Sequence, residues 1–153
     1  MSRSITALAP IIKEVTVVAT PARAFELFTR HIARWWPLVT HSCGGADARG
    51  VTIEERIGGR ITEITHAGLA HEWGTVTTWN PPFAFAMAWH PGKAPQSATH
   101  VLVTFAPITD DTCLVRLAHS GWDAEAAARR DTYVRGWSIV LDDFVQHVQR
   151  EGQ

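Results

Sequence analysis

The C-terminal quarter of the chain carries the feature that most constrains its fold. Tyr133, Trp137, Val140, Leu141, Phe144 and Val148 recur every three or four residues. That is one unbroken apolar stripe at helical period. The spacing predicts a helix from about Asp131 to Arg150, roughly 30 Å long. A stripe of that length has to be buried, and the segments before it read as strands, so it must lie on a sheet. Gly136 sits inside the predicted helix, where glycine costs ~1 kcal/mol relative to alanine. A residue without a Cβ there lets another group come close.

The strand segments follow one another with short turns. Ile11 to Val18 is rich in β-branched residues. Thr20-Pro21 reads as a helix start, a hydroxyl cap followed by proline at the first helical position. Phe25, Phe28 and Ile32 continue that helix as a stripe reaching Trp35-Trp36 and stopping at Pro37, as one bent helix or two short ones. Thr40 to Gly50 is a glycine-rich loop. Val51, Ile53 and Ile57 then alternate with Thr52, Glu54 and Arg56, and Gly58-Gly59 reads as a two-residue hairpin turn into Arg60 to Thr65. This register sets Ile57 opposite Arg60 and Glu54 opposite Glu63, on a face expected to be solvated. Turned inward, the same pair would supply a carboxyl of raised pKa for acid–base work.

His71 to Trp79 and Phe83 to Trp89 are strands joined at Asn80-Pro81-Pro82. Thr99 to Phe105 and Thr112 to His119 form a hairpin around Thr109-Asp110-Asp111. Bulky residues share one face in each: Phe83, Phe85, Met87 and Trp89; Val101, Val103 and Phe105; Val115, Leu117 and His119. The order is strand, short helices, six strands, long helix. It predicts an α+β domain, a curved antiparallel sheet wrapped around the C-terminal helix. One domain over 1–153 is expected, with an ordered core of about 11–150 behind a loose lead-in.

Charge and composition narrow the function. There are 14 Lys and Arg against 15 Asp and Glu, which argues against nucleic-acid binding and a polybasic membrane anchor. No apolar run approaches the ~20 residues that span a bilayer, and Met1–Thr6 carries no apolar stretch of leader length. Cys43 and Cys113 make no disulfide framework. A cytoplasmic setting is expected. The eight histidines show no metal-binding spacing, so no metal and no cofactor are expected. Neither cysteine has an assignable base.

Seven tryptophans are the oddity. Trp35, Trp36, Trp73, Trp89, Trp122 and Trp137 could line a gap between sheet and helix, with His41, His119 and Tyr133 as polar tips. The plainer alternative is that the rings are core and His119 is a hydrogen-bonded core histidine.

Several short motifs act together. They are Pro21-Ala22-Arg23-Ala24-Phe25, Trp35-Trp36, Gly58-Gly59, Gly74-Thr75-Val76 leading to Asn80-Pro81-Pro82, and Trp89. His119-Ser120-Gly121-Trp122 and Gly136-Trp137-Ser138-Ile139-Val140-Leu141 complete the set. With them the chain resembles the activator-of-heat-shock-ATPase homologue family of the START-like (SRPBCC) superfamily, over about residues 11 to 150. The resemblance implies a helix-grip fold, seven antiparallel strands gripping a long C-terminal helix with a cavity between. The superfamily spans carriers, receptors, cyclases and resistance proteins, so fold alone selects no function. The expected activity is binding of a small hydrophobic or aromatic molecule, with homodimer formation left open. The alternatives are a polyketide-cyclase or hydrolase using His119, Tyr133 or the Glu54/Glu63 pair, and a chaperone-regulating interaction module.

Overall fold

Alternating and helical patterns resolve into seven strands and two helices in the computed structural model, which describes residues 7–152. The start of the lead-in, including Met1–Thr6, lies outside the described residues. Strand β1 is Ile11–Val17 and helix α1 is Pro21–Thr29. Thr20 caps α1, its hydroxyl accepting the Arg23 backbone N–H at 3.1 Å, and the Pro21 ring sits where a missing N–H costs nothing. The chain then makes one turn of 3₁₀ helix at Ile32–Arg34. Of the two options read from the sequence, two short helices are what forms.

The remaining strands are β2 (Ala48–Ile53), β3 (Arg60–Thr65), β4 (Ala70–Asn80), β5 (Ala84–Trp89), β6 (Thr99–Thr109) and β7 (Thr112–Ser120). They form one antiparallel sheet in the order β1-β7-β6-β5-β4-β3-β2. Strands two to seven meander, and β1 pairs with the last strand. The sheet curls into a half-barrel around helix α2, Ala127–Glu151. That helix begins before the predicted Asp131, behind a 3₁₀ turn at Ala124–Ala126 in which the Asp123 carboxylate accepts the Glu125 N–H at 3.1 Å.

The inward faces match the sequence parity. Val101, Val103, Val115 and Leu117 are fully buried, as is Phe105 to within 1%. The far end of the core is a cluster of rings. Phe28 of α1 packs on Phe144 of α2 at 4.9 Å, and Phe25 meets Phe85 and Phe105 edge-on at 5.8 and 5.3 Å. Each such pair adds about 0.5–1.5 kcal/mol beyond area burial.

Two expectations are corrected. Phe83 lies just outside β5 and is 53% exposed, while Phe85, Met87 and Trp89 point inward. The β2–β3 connection is not a two-residue hairpin. β2 ends at Ile53, which pairs with Ile61, and Val51 pairs with Glu63. Residues 54–59 leave the ladder. Ile57 is 68% exposed, Gly58 takes φ +82°, and its N–H reaches across to Val76 O at 2.8 Å. The Glu54 carboxylate turns back on the Arg60 backbone N–H at 2.7 Å. The longer turn moves Glu63 off Glu54 and, by strand parity, onto the inner face.

Trp137 lies at the meeting of α2 and the sheet, 3% exposed, with ring centroids 5.7 Å from Trp89 and 5.8 Å from Trp36. Trp137→Ala should cost ~3–5 kcal/mol in urea melts. A change within about 0.5 kcal/mol, the range of surface substitutions, would mean that this ring is not part of the packed interface.

Candidate functional site

A cavity of about 410 Å³ opens between α2, the ends of β4 and β5, and the loop that follows Pro37. Trp36, Trp73, Trp89, Trp137 and Val140 form its walls. Trp36 is central, 5.2 Å from Trp73, 6.1 Å from Trp89 and 5.8 Å from Trp137 between ring centroids. The four indole N–H groups all turn to protein partners. Trp36 donates to His41 O (2.7 Å), Trp73 to Glu63 Oε1 (2.9 Å), Trp89 to Tyr133 Oη (3.2 Å) and Trp137 to His119 Nδ1 (2.9 Å). With the polar tips committed elsewhere, the rings offer carbon to the cavity.

The rim is polar. Thr40, His41, Ser42 and Cys43 come from the loop, Pro91-Gly92 from the turn after β5, and Tyr133 and Gly136 from α2. An ideal Cβ on Gly136 would lie 3.8 Å from the His41 ring, an ordinary contact distance, so that imidazole lies directly over this turn of the helix.

Glu63 fixes the loop. It is fully buried. Oε1 accepts the Cys43 backbone N–H at 2.8 Å together with the Trp73 indole, and Oε2 accepts the Gly44 N–H at 2.8 Å. Three donors satisfy a buried carboxylate that would otherwise be costly. A Cβ on Gly44 would come within 2.8 Å of Oε2, so the close approach requires glycine. Burial, and then the nearby Glu63 charge, push the Cys43 thiol pKa up, which keeps it from being a ready thiolate.

His119 is fully buried behind the wall. Nδ1 accepts the Trp137 N–H, so the neutral ring carries its proton on Nε2, which meets Thr99 Oγ1 at 2.6 Å. The Thr99 hydroxyl passes its own proton to Trp89 O at 3.3 Å. One chain of bonds thus joins α2, β7, β6 and β5. Burial above all, with the Arg129 and His100 charges adding, lowers the His119 pKa to about 3.

The sequence-derived candidates therefore separate. Trp36, His41, Trp73, Trp89, Tyr133 and Trp137 line one cavity. Three do not. Trp35 packs between Phe28 and Phe144, its N–H on Leu27 O at 3.0 Å. Trp122 packs against His119 in a tilted pair, ring centroids 4.4 Å apart, and donates to its carbonyl at 2.9 Å. His119 supports the wall from behind. Strand parity alone did not find Glu63, and the rim residues Thr40, Ser42, Cys43, Pro91 and Gly92 carried no periodic signal. Gly136 did carry one, as a glycine inside a helix.

This architecture is the helix-grip fold of the START-like (SRPBCC) class. Residues 18–149 match the family described as activator of Hsp90 ATPase homolog 1-like protein, and the chain belongs to that family. No curated protein matches it in sequence. Among solved structures, a protein from Mesorhizobium loti is similar with TM-score 0.70 and 16% identity, over 92% of this chain and 97% of the other. The Aha1 dimer from Colwellia psychrerythraea gives TM-score 0.68 and 17% identity, over 92% and 96%. The anthrahydroquino-gamma-pyrone synthase Txn09, complexed with SUM, gives TM-score 0.55 at 28% identity, over 74% and 77%. Among the described residues no helix is long and apolar enough to cross a membrane.

Two outcomes check the site's electrostatics. In the unfolded chain His119 takes up a proton near pH 6.5, but in the folded protein only near pH 3. Between those values the unfolded state binds more protons, so stability is full above the upper value and falls as pH drops, by about 1.4 kcal/mol per pH unit. Urea melts should lose about 2 kcal/mol between about pH 6.5 and about pH 5; a flat profile would show that folded His119 accepts a proton. Glu63→Gln replaces one acceptor oxygen with an N–H₂ facing a donor. It should cost ~1–3 kcal/mol and speed alkylation of Cys43 by iodoacetamide. An unchanged alkylation rate would mean that Glu63 does not hold the loop.

Proposed function

We propose that the chain binds a small, largely apolar or aromatic molecule in the cavity beneath α2. The observation that carries this reading is a 410 Å³ space walled by four indoles whose N–H groups are all engaged elsewhere. Ligand sites commonly have volumes of about 300–1,000 Å³, with apolar walls and few polar groups. The similar structure at 28% identity, an anthrahydroquino-gamma-pyrone synthase complexed with SUM, supports the same use of the fold. His119 serves this reading as a support for Trp137. Enclosed and neutral, it has no free nitrogen for acid–base chemistry. The dimeric Colwellia relative supports self-association as a further property, which sedimentation equilibrium would test.

Anilinonaphthalene sulfonate should bind the native protein with enhanced fluorescence. Gly136→Leu projects a side chain at the rim toward His41 while raising helix propensity by several tenths of a kcal/mol. That variant should weaken probe binding at least about tenfold, the effect of ~1.4 kcal/mol, without lowering the urea midpoint. No binding by the native protein, or equal binding by the variant, would overturn the reading.

A further inference from the structure

We infer that the cavity selects a flat ring compound carrying a carbonyl-type oxygen and a hydroxyl, the oxygen held by Tyr133 and the hydroxyl by His41. The inference rests on the cavity being a ligand site, and it adds two polar points to it. Most polar groups around the cavity are already spent. The four indole N–H groups are taken, the Ser42 hydroxyl donates to Leu38 O and accepts from Gly45 N, and the Thr40 hydroxyl meets Pro37 O and His41 Nδ1.

Tyr133 is different. Its oxygen accepts the Trp89 indole N–H at 3.2 Å, and its own proton meets no acceptor among the described residues. Burial raises the phenol pKa, so Tyr133 stays a donor. An N–H bond received on its oxygen strengthens the bond it gives. An acceptor such as a carbonyl oxygen is the complement.

His41 offers the second point. Thr40 Oγ1 holds Nδ1 at 2.7 Å, and Nε2 lies 3.8 Å from the Cβ position of Gly136, on the cavity rim. Among the described residues Nε2 has no hydrogen-bond partner. A hydroxyl both donates and accepts, so it pairs with an imidazole nitrogen in either tautomer. Tyr133 and Gly136 are three residues apart on α2, a rise of about 4.5 Å. Tyr133 and the rim position that His41 packs against therefore both belong to the α2 side of one cavity. Between and around them are indole surfaces, which favour a flat ring by stacking and edge contacts.

The test uses tetralin, α-tetralone and 6-hydroxy-α-tetralone, which share one ring skeleton and carry none, one and both of the polar groups. Dissociation constants are read by tryptophan quenching on wild type, Tyr133→Phe and His41→Leu. In Tyr133→Phe the preference for α-tetralone over tetralin should fall about tenfold, and in His41→Leu the preference for the hydroxy compound over α-tetralone should fall similarly. Comparing probes within each variant cancels any general loss of packing. If the probes bind but both preferences stay within about twofold of wild type, the two-point inference is overturned and the cavity remains a ligand site. If wild type binds none of the three, the ligand-site reading falls with it.

Discussion

The bond from the Trp137 indole to His119 Nδ1 governs the height at which α2 sits in the sheet. It spans the helix–sheet boundary at 2.9 Å and continues through Nε2 to Thr99 and on to the Trp89 carbonyl. Without a donor from the helix, the buried imidazole would have an unpaired nitrogen, at a cost of about 1–3 kcal/mol. The polar line therefore favours this position of the helix over any that would break it. Trp122, its ring tilted against His119 at 4.4 Å and 1% exposed, covers the line from the other side of the imidazole.

That fixed height explains why the interior is solid at one end and open at the other. Toward α1 the phenylalanines interlock, with Phe28, Phe144 and Trp35 filling the space between the layers. Toward the loop after Pro37 the residues are indoles, and each is pinned by its own N–H to a different partner. A ring held at its edge cannot swing in to fill the gap beside it. Glu63 pins the loop in the same way from below, through Cys43 and Gly44. The cavity is the space left between groups whose positions are set by hydrogen bonds rather than by contact.

How much of this was legible in the sequence depends on what each signal encodes. The stripe from Tyr133 to Val148 and the Thr20-Pro21 cap were readable, because helical period and cap chemistry are local. Strand parity correctly turned His119 and Trp89 inward. Parity states a face, however, and not a depth. It could not separate Trp89, on the cavity wall, from His119, one layer behind it. Trp35 and Trp36 are adjacent, and only the turn of 3₁₀ helix before them decides that Trp36 faces the cavity while Trp35 enters the core. Gly58-Gly59 has the composition of a tight turn, and a tight turn there sets Glu63 opposite Glu54 on the solvated face. The chain instead loops out over six residues, with Gly58 bonded to β4, and the register follows the loop length. Ile61, two residues before Glu63 and fully buried, marks the inner face, but Ile64 on the opposite parity hides that signal.

Open, indole-walled space lies beneath α2. Xenon occupies apolar cavities without needing any specific polar partner, so crystals of the ligand-free protein held under xenon pressure test it directly. A xenon peak should appear enclosed by Trp36, Trp73, Trp89 and Trp137, with the rings unmoved. Indoles collapsed onto one another, with no xenon between them, would contradict it.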